Sequence, residues 1–193
     1  MVQKTRQHGF TLIELLVVIV IIAGLMGILL PVLPRVRDRA RQVACAANLR
    51  SIGTAVQVHL SDNKETFPSA RYMPPPFLSG DTDPPLPVVL DHSIDERSEA
   101  WQCPGDDFVH TQEYTTDDGT LTTCGASYTY TVALSGRRLE ETPFVRRFEW
   151  APSDVPVATD FDGGTFELQS GEEIVVDFFH HKRSILYADY HVE

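Results

Sequence analysis

A chain of 193 residues with 16 basic and 27 acidic side chains, net charge −11, offers no general surface for nucleic acid, which requires positive charge against phosphate. Its three cysteines are too few for a disulfide scaffold and lack zinc-site spacing. Beyond one long apolar stretch, enough residues remain for a single modest domain but not for two independent cores.

Residues 1–9, MVQKTRQHG, are polar and carry Lys4 and Arg6 with no acid. The run from Phe10 to Leu33 follows, 24 residues in which Glu14 is the only charge. As a helix this run reaches roughly 36 Å, enough for a hydrocarbon core of about 30 Å. A removable signal peptide also starts with charge and continues apolar. This run is longer than a usual signal core, however, and no Ala-x-Ala site follows directly on it. A simple anchor gives no reason for Glu14, because an ionised group in an apolar helix costs several kcal/mol unless paired.

The stretch Gly9-Phe10-Thr11-Leu12-Ile13-Glu14-Leu15-Leu16-Val17-Val18-Ile19 resembles the processing motif of type IV prepilins and type II secretion pseudopilins. The resemblance implies cleavage by a prepilin peptidase between Gly9 and Phe10, with Phe10 becoming N-methylphenylalanine. It also implies an assembly role for Glu14, whose carboxylate would pair with the Phe10 amine of a subunit in the filament. Removing one partner from such a pair strands the other charge at a cost of about 3–5 kcal/mol. Gly9, without a side chain, lets the backbone lie extended in a peptidase cleft. Pro31 falls where family members often kink the helix, and Gly24 and Gly27 weaken helicity nearby. Arg35, Arg37, Arg39 and Arg41 outnumber Lys4 and Arg6. Charge alone would therefore place the C-terminal side in the cytoplasm. The motif demands the reverse and constrains more positions, so it sets the expected orientation: leader cytoplasmic, C-terminal domain periplasmic, one pass through the inner membrane.

After Pro31, apolar residues recur at Val36, Ala40, Val43 and Ala47, then at Leu49, Ile52, Val56 and Leu60. This is the spacing of an amphipathic helix, reaching about Ser61 before Asp62-Asn63 and Phe67-Pro68. The string CAANLRSIGTAV resembles a pseudopilin subgroup with Cys-x-x-Asn-Leu-Arg-x-Ile-Gly. Residues 72–89, rich in proline, read as an extended loop. Cys103-Pro104-Gly105-Asp106 resembles the subgroup's Cys-Pro-x-Asp. Short β-like runs follow at Tyr114–Thr123, Ser127–Leu134, Phe144–Trp150, Val155–Thr159, Thr165–Leu168, Ile174–Phe179 and Ser184–Val192, with turns at Asp118-Gly119 and Gly163-Gly164. The expected fold is α+β: a long N-terminal transmembrane and stalk helix packed on a small antiparallel sheet, as in pilins. The expected segments are a leader at 1–9, a membrane helix at 10–33, a stalk at 34–63 and a β-rich domain at 64–193.

Cys103 and Cys124 could form a disulfide outside the cytoplasm or stay separate thiols. Cys45, among alanines, reads as a structural thiol. In the tail HHKRSILYADYHVE, His180 and His181 would point to opposite faces of a strand, and Asp189 with His191 makes too few ligands for a metal. The tail resembles the subgroup's His…Asp-Gly-His-Val ending but has Tyr190 in place of Gly. Asp160, Asp162, Gly163 and Gly164 could form a small calcium loop, as the resemblance to pseudopilins implies, although the spacing falls short of an EF-hand and lacks its distal Glu. Calcium aside, no cofactor or metal is expected, and no motif pairs a nucleophile with a base. The chain therefore reads as a filament subunit rather than an enzyme. Its expected partners are prepilin peptidase, other pilin-like subunits, an inner-membrane secretion or assembly platform and membrane lipid. A membrane-anchored enzyme or metal-binding module using the same N-terminus is the alternative.

Overall fold

The computed structural model describes residues 12–73, 77, 80, 82–106, 113–115, 119, 121–123, 126–161, 163–180 and 182–193. It divides into two compact units, residues 1–39 and 40–193. The first contains helix α1, Leu12–Leu29, every residue of which is exposed. Gly24 and Gly27 lie within α1 without interrupting it, and the break comes at residues 30–32, around Pro31. Proline has no N–H to give the carbonyl four residues back. Helix α2 then runs Leu33–Asp62.

The second unit is an antiparallel domain built on the later turns of α2. Cys45, Leu49, Ile52, Val56 and Leu60 follow helical spacing and are buried, each full burial of a large aliphatic being worth about 1.5–3 kcal/mol. Val36, Ala40, Val43 and Ala47, expected on the apolar stripe, are exposed instead. The buried face turns with Cys45 and Leu49, and Val43 and Ala47 point away from it.

A central sheet has the order β3 (Tyr128–Tyr130), β4 (Pro156–Asp160), β7 (Ile185–Tyr187), all antiparallel. Its buried residues Tyr128, Tyr130, Val157, Ala158 and Leu186 share one core with α2. Helix and sheet meet closely at Gly53, where a Cβ would lie 2.8 Å from Leu186 Cδ1. The described residues also include two hairpins: β1 (Glu113–Thr115) with β2 (Leu121–Thr123), and β5 (Gly164–Glu167) with β6 (Glu173–Val176). Met73, Phe77, Phe161 and Val176 form a second, smaller core. This is the α+β arrangement expected from the sequence.

Two local expectations are corrected. Residues 72–89 are not loop throughout: Leu86–Val89 forms the short helix α3, with Leu86 and Leu90 buried. Phe144–Trp150, expected as a strand, is largely helix α4, Pro143–Phe148. Pro143 fits the first helical position, where its missing N–H costs nothing. Glu149 closes the helix in the left-handed region at φ 55°, and Trp150 folds back to stack on Phe144 with ring centroids 5.2 Å apart.

Candidate functional site

Two features bear chemistry. The first is the N-terminus. Gly9 and Phe10 lie outside the described residues. Glu14 stands in the first turn of α1 as that helix's only charged residue. The eighteen residues of α1 make one helix long and apolar enough to cross a membrane, spanning about 27 Å. Leu12, Ile13, Leu16, Ile19 and Ile22 are all exposed, with no described residue burying them, a surface suited to lipid or to the helices of other chains.

The second feature is a clasp on the domain. Cys45 of α2 is bonded to Cys103 with Cα atoms 5.1 Å apart. The possible pairing of Cys103 with Cys124 is therefore corrected, and Cys124 lies outside the described residues. The physical reason is the face of α2. Cys45, Asn48 and Leu49 are spaced i, i+3, i+4 and so share one side. Leu49 enters the core, and Asn48 Nδ2 donates to the carbonyls of Gln102 (2.8 Å) and Glu99 (3.4 Å). That lays the segment before Cys103 along the helix and brings its sulfur to Cys45. From the other side, Ser127 Oγ accepts from the Cys103 N–H at 3.0 Å, and the Ser127 N–H donates to the Trp101 carbonyl at 2.7 Å. Both sulfurs are fully buried.

His180 completes the cluster. Its Nε2 lies 3.0 Å from the Sγ of Cys45 and 3.0 Å from that of Cys103. The ring rests on Gly105, where a Cβ would come within 2.7 Å of Cε1, so this position needs glycine for close approach. Three separated sequence features, Cys-x-x-Asn-Leu-Arg, Cys-Pro-x-Asp and the tail histidine, thus meet at one point. The sequence reading weighed His180 only against His181 and missed its distant sulfur partners. The shared helical face of Cys45 and Asn48 was the available signal.

Asp189 and His191 act on a turn. The Asp189 carboxylate accepts from the His191 N–H and contacts its Nδ1, which holds the Asp189 carboxyl below its ordinary range. The His191 ring stacks on Tyr187, centroids 4.4 Å apart. Tyr190 adopts φ 71° in the same turn, so the turn forms without glycine and carries the strain of a left-handed non-glycine residue. Asp160, considered for calcium, is buried in the sheet with Oδ1 accepting from the Ser184 N–H at 3.0 Å. Its second oxygen has no hydrogen-bond partner among the described residues, and burial pushes its carboxyl up to about 6.

An apolar helix with a single carboxylate in its first turn thus belongs to a chain that also holds a helix-on-sheet domain. The prokaryotic N-terminal methylation motif matches residues 4–30. More particularly, the chain is similar to type II secretion system core protein G of Pseudomonas aeruginosa, 32% identical over 69 residues, or 36% of this chain and 48% of that protein. The chain spans about half the length of this curated relative. No solved structure matches the chain.

Proposed function

We propose that this protein is a pilin-like subunit, a pseudopilin of a type II secretion system or of a related type IV filament. The observation that carries the reading is α1: an exposed apolar surface whose only charge, Glu14, lies inside the methylation motif matched at residues 4–30. In this reading the leader faces the cytoplasm, α1 waits in the inner membrane, and the domain faces the periplasm. Prepilin peptidase cuts after Gly9 and methylates the Phe10 amine. Assembly then moves α1 from lipid into a bundle of neighbouring helices. Glu14 supplies a carboxylate for the cationic amine of Phe10, so that both charges lose water together rather than singly. The protein's work is mechanical, and the clasp on α2 keeps the domain fixed to the helix that carries load.

The test is a Glu14→Ala variant coexpressed with a prepilin peptidase and an assembly platform. Processing should proceed as in the wild type, while recovery of the subunit in sheared filaments should fall at least tenfold. Normal filament incorporation of the variant would remove the paired-charge mechanism.

A further inference from the structure

We propose that Cys45, Cys103 and His180 are also a metal site, holding a zinc-class divalent ion whenever the two cysteines are thiols. Three potential ligand atoms from three separate segments lie within 4.8 Å of one another. That convergence is more than a disulfide needs, since an S–S bond does not require an imidazole nitrogen 3.0 Å from each sulfur. In tetrahedral zinc sites, with Zn–S about 2.3 Å and Zn–N about 2.0 Å, the nitrogen sits about 3.5 Å from each sulfur and the sulfurs about 3.8 Å apart. Nε2 thus lies about half an ångström closer to each sulfur than in such a site, and the sulfurs must move from bonding distance to about 3.8 Å to admit the ion. The Gly105 N–H points to the Cys103 sulfur at 3.4 Å, a hydrogen bond that stabilises thiolate charge. Half-buried His180 gives an ion its way in, and the three protein ligands leave a fourth position for water.

Ion and disulfide exclude each other, because the sulfurs cannot be bonded and also span a metal. The newly made chain carries both cysteines as thiols, so binding needs no reductant, and each thiol that ligates releases one proton. Closing the disulfide removes two electrons and two protons from the pair and requires an oxidant of the disulfide or quinone class. Either state ties α2 to the Cys103 segment, and the ion additionally recruits the His180 segment.

The experiment uses the full chain in detergent micelles on a Cys124→Ser background, leaving Cys45 and Cys103 as its only thiols. A phosphine reduces the disulfide: phosphorus gives two electrons and takes oxygen from water, whose two protons go to the sulfurs. Cobalt(II) is then titrated in without oxygen. The expected result is one equivalent bound with sulfur-to-cobalt charge transfer and the visible bands of a tetrahedral ion, displaced by zinc, and no such signal from the oxidised chain. His180→Ala should weaken binding at least tenfold and alter the visible bands. Stoichiometric zinc should also protect both thiols from a disulfide reagent in the unmutated pair, a readout that needs no ligand variant. A reduced chain without the charge-transfer band, thiols that zinc leaves unprotected, or a His180→Ala variant with unchanged affinity and spectrum would each overturn the proposal.

Discussion

Opening the Cys45–Cys103 bond should destabilise the domain strongly. The bond closes a loop between residues 58 apart in sequence. The chain-entropy relation for a loop of that length gives about 4 kcal/mol, at the upper end of the typical 2–4 kcal/mol. For a domain of this size, with a urea slope of about 2 kcal/mol/M, that corresponds to a midpoint lowered by about 2 M on reduction. Trp101 is buried beside the bond, its indole N–H donating to the Asp95 carbonyl at 3.1 Å, so its fluorescence reports unfolding. The assay compares oxidised and reduced protein in detergent, with a chelator present so that no ion substitutes for the bond. Cys45→Ala should unfold at the same urea concentration with or without reductant, whereas Cys124→Ser should retain the full reduction-dependent shift. If Cys124→Ser abolished the shift and Cys45→Ala kept it, the pairing described here would be refuted.

Other consequences are more local. Asn48→Ala should cost about 1–3 kcal/mol, because it leaves the Gln102 carbonyl without its donor, and should slow disulfide closure, followed by thiol labelling during refolding. Gly53→Val should destabilise by about 1–3 kcal/mol through overpacking against the fully buried Leu186, read as a lower urea midpoint. Asp160 holds its proton in the folded state up to about pH 6, above its ordinary value of 3.8. Its favourable contribution is therefore complete below about pH 4 and is lost as pH rises through about 6, by at most about 3 kcal/mol. Asp160→Asn keeps an acceptor for the Ser184 N–H, so its stability relative to the wild type should rise between pH 4 and 7; an unchanged difference across that range would contradict the burial argument.

The parts legible in the sequence were those encoded by neighbours in the chain. Gly9, Phe10, Glu14 and the apolar run that follows form one contiguous signal, and Gly119 lies in the β1–β2 turn as its local chemistry announces, whereas Gly164 opens β5 instead of turning and the β5–β6 hairpin turns at Gly171, φ 82°. The buried stripe of α2 was legible only from Leu49 onward, because the exposed Val36 and Val43 repeat at the same helical spacing and periodicity cannot say which face meets a sheet. α4 was misread since Phe144, Val145 and Phe148 suit a strand as well as a helix, and Pro143 and the left-handed Glu149 decide it. The clasp was least legible. Its disulfide joins residues 58 apart, and His180 lies 77 residues beyond Cys103, so proximity comes from the fold itself.

The central claim is that the N-terminus is a processed and methylated prepilin end. Its most direct test is mass spectrometry of the N-terminal peptide from chain coexpressed with a prepilin peptidase. The account predicts loss of residues 1–9 and a first residue Phe10 carrying one added methyl group. A retained leader, or an N-terminus formed at any other bond, would contradict it.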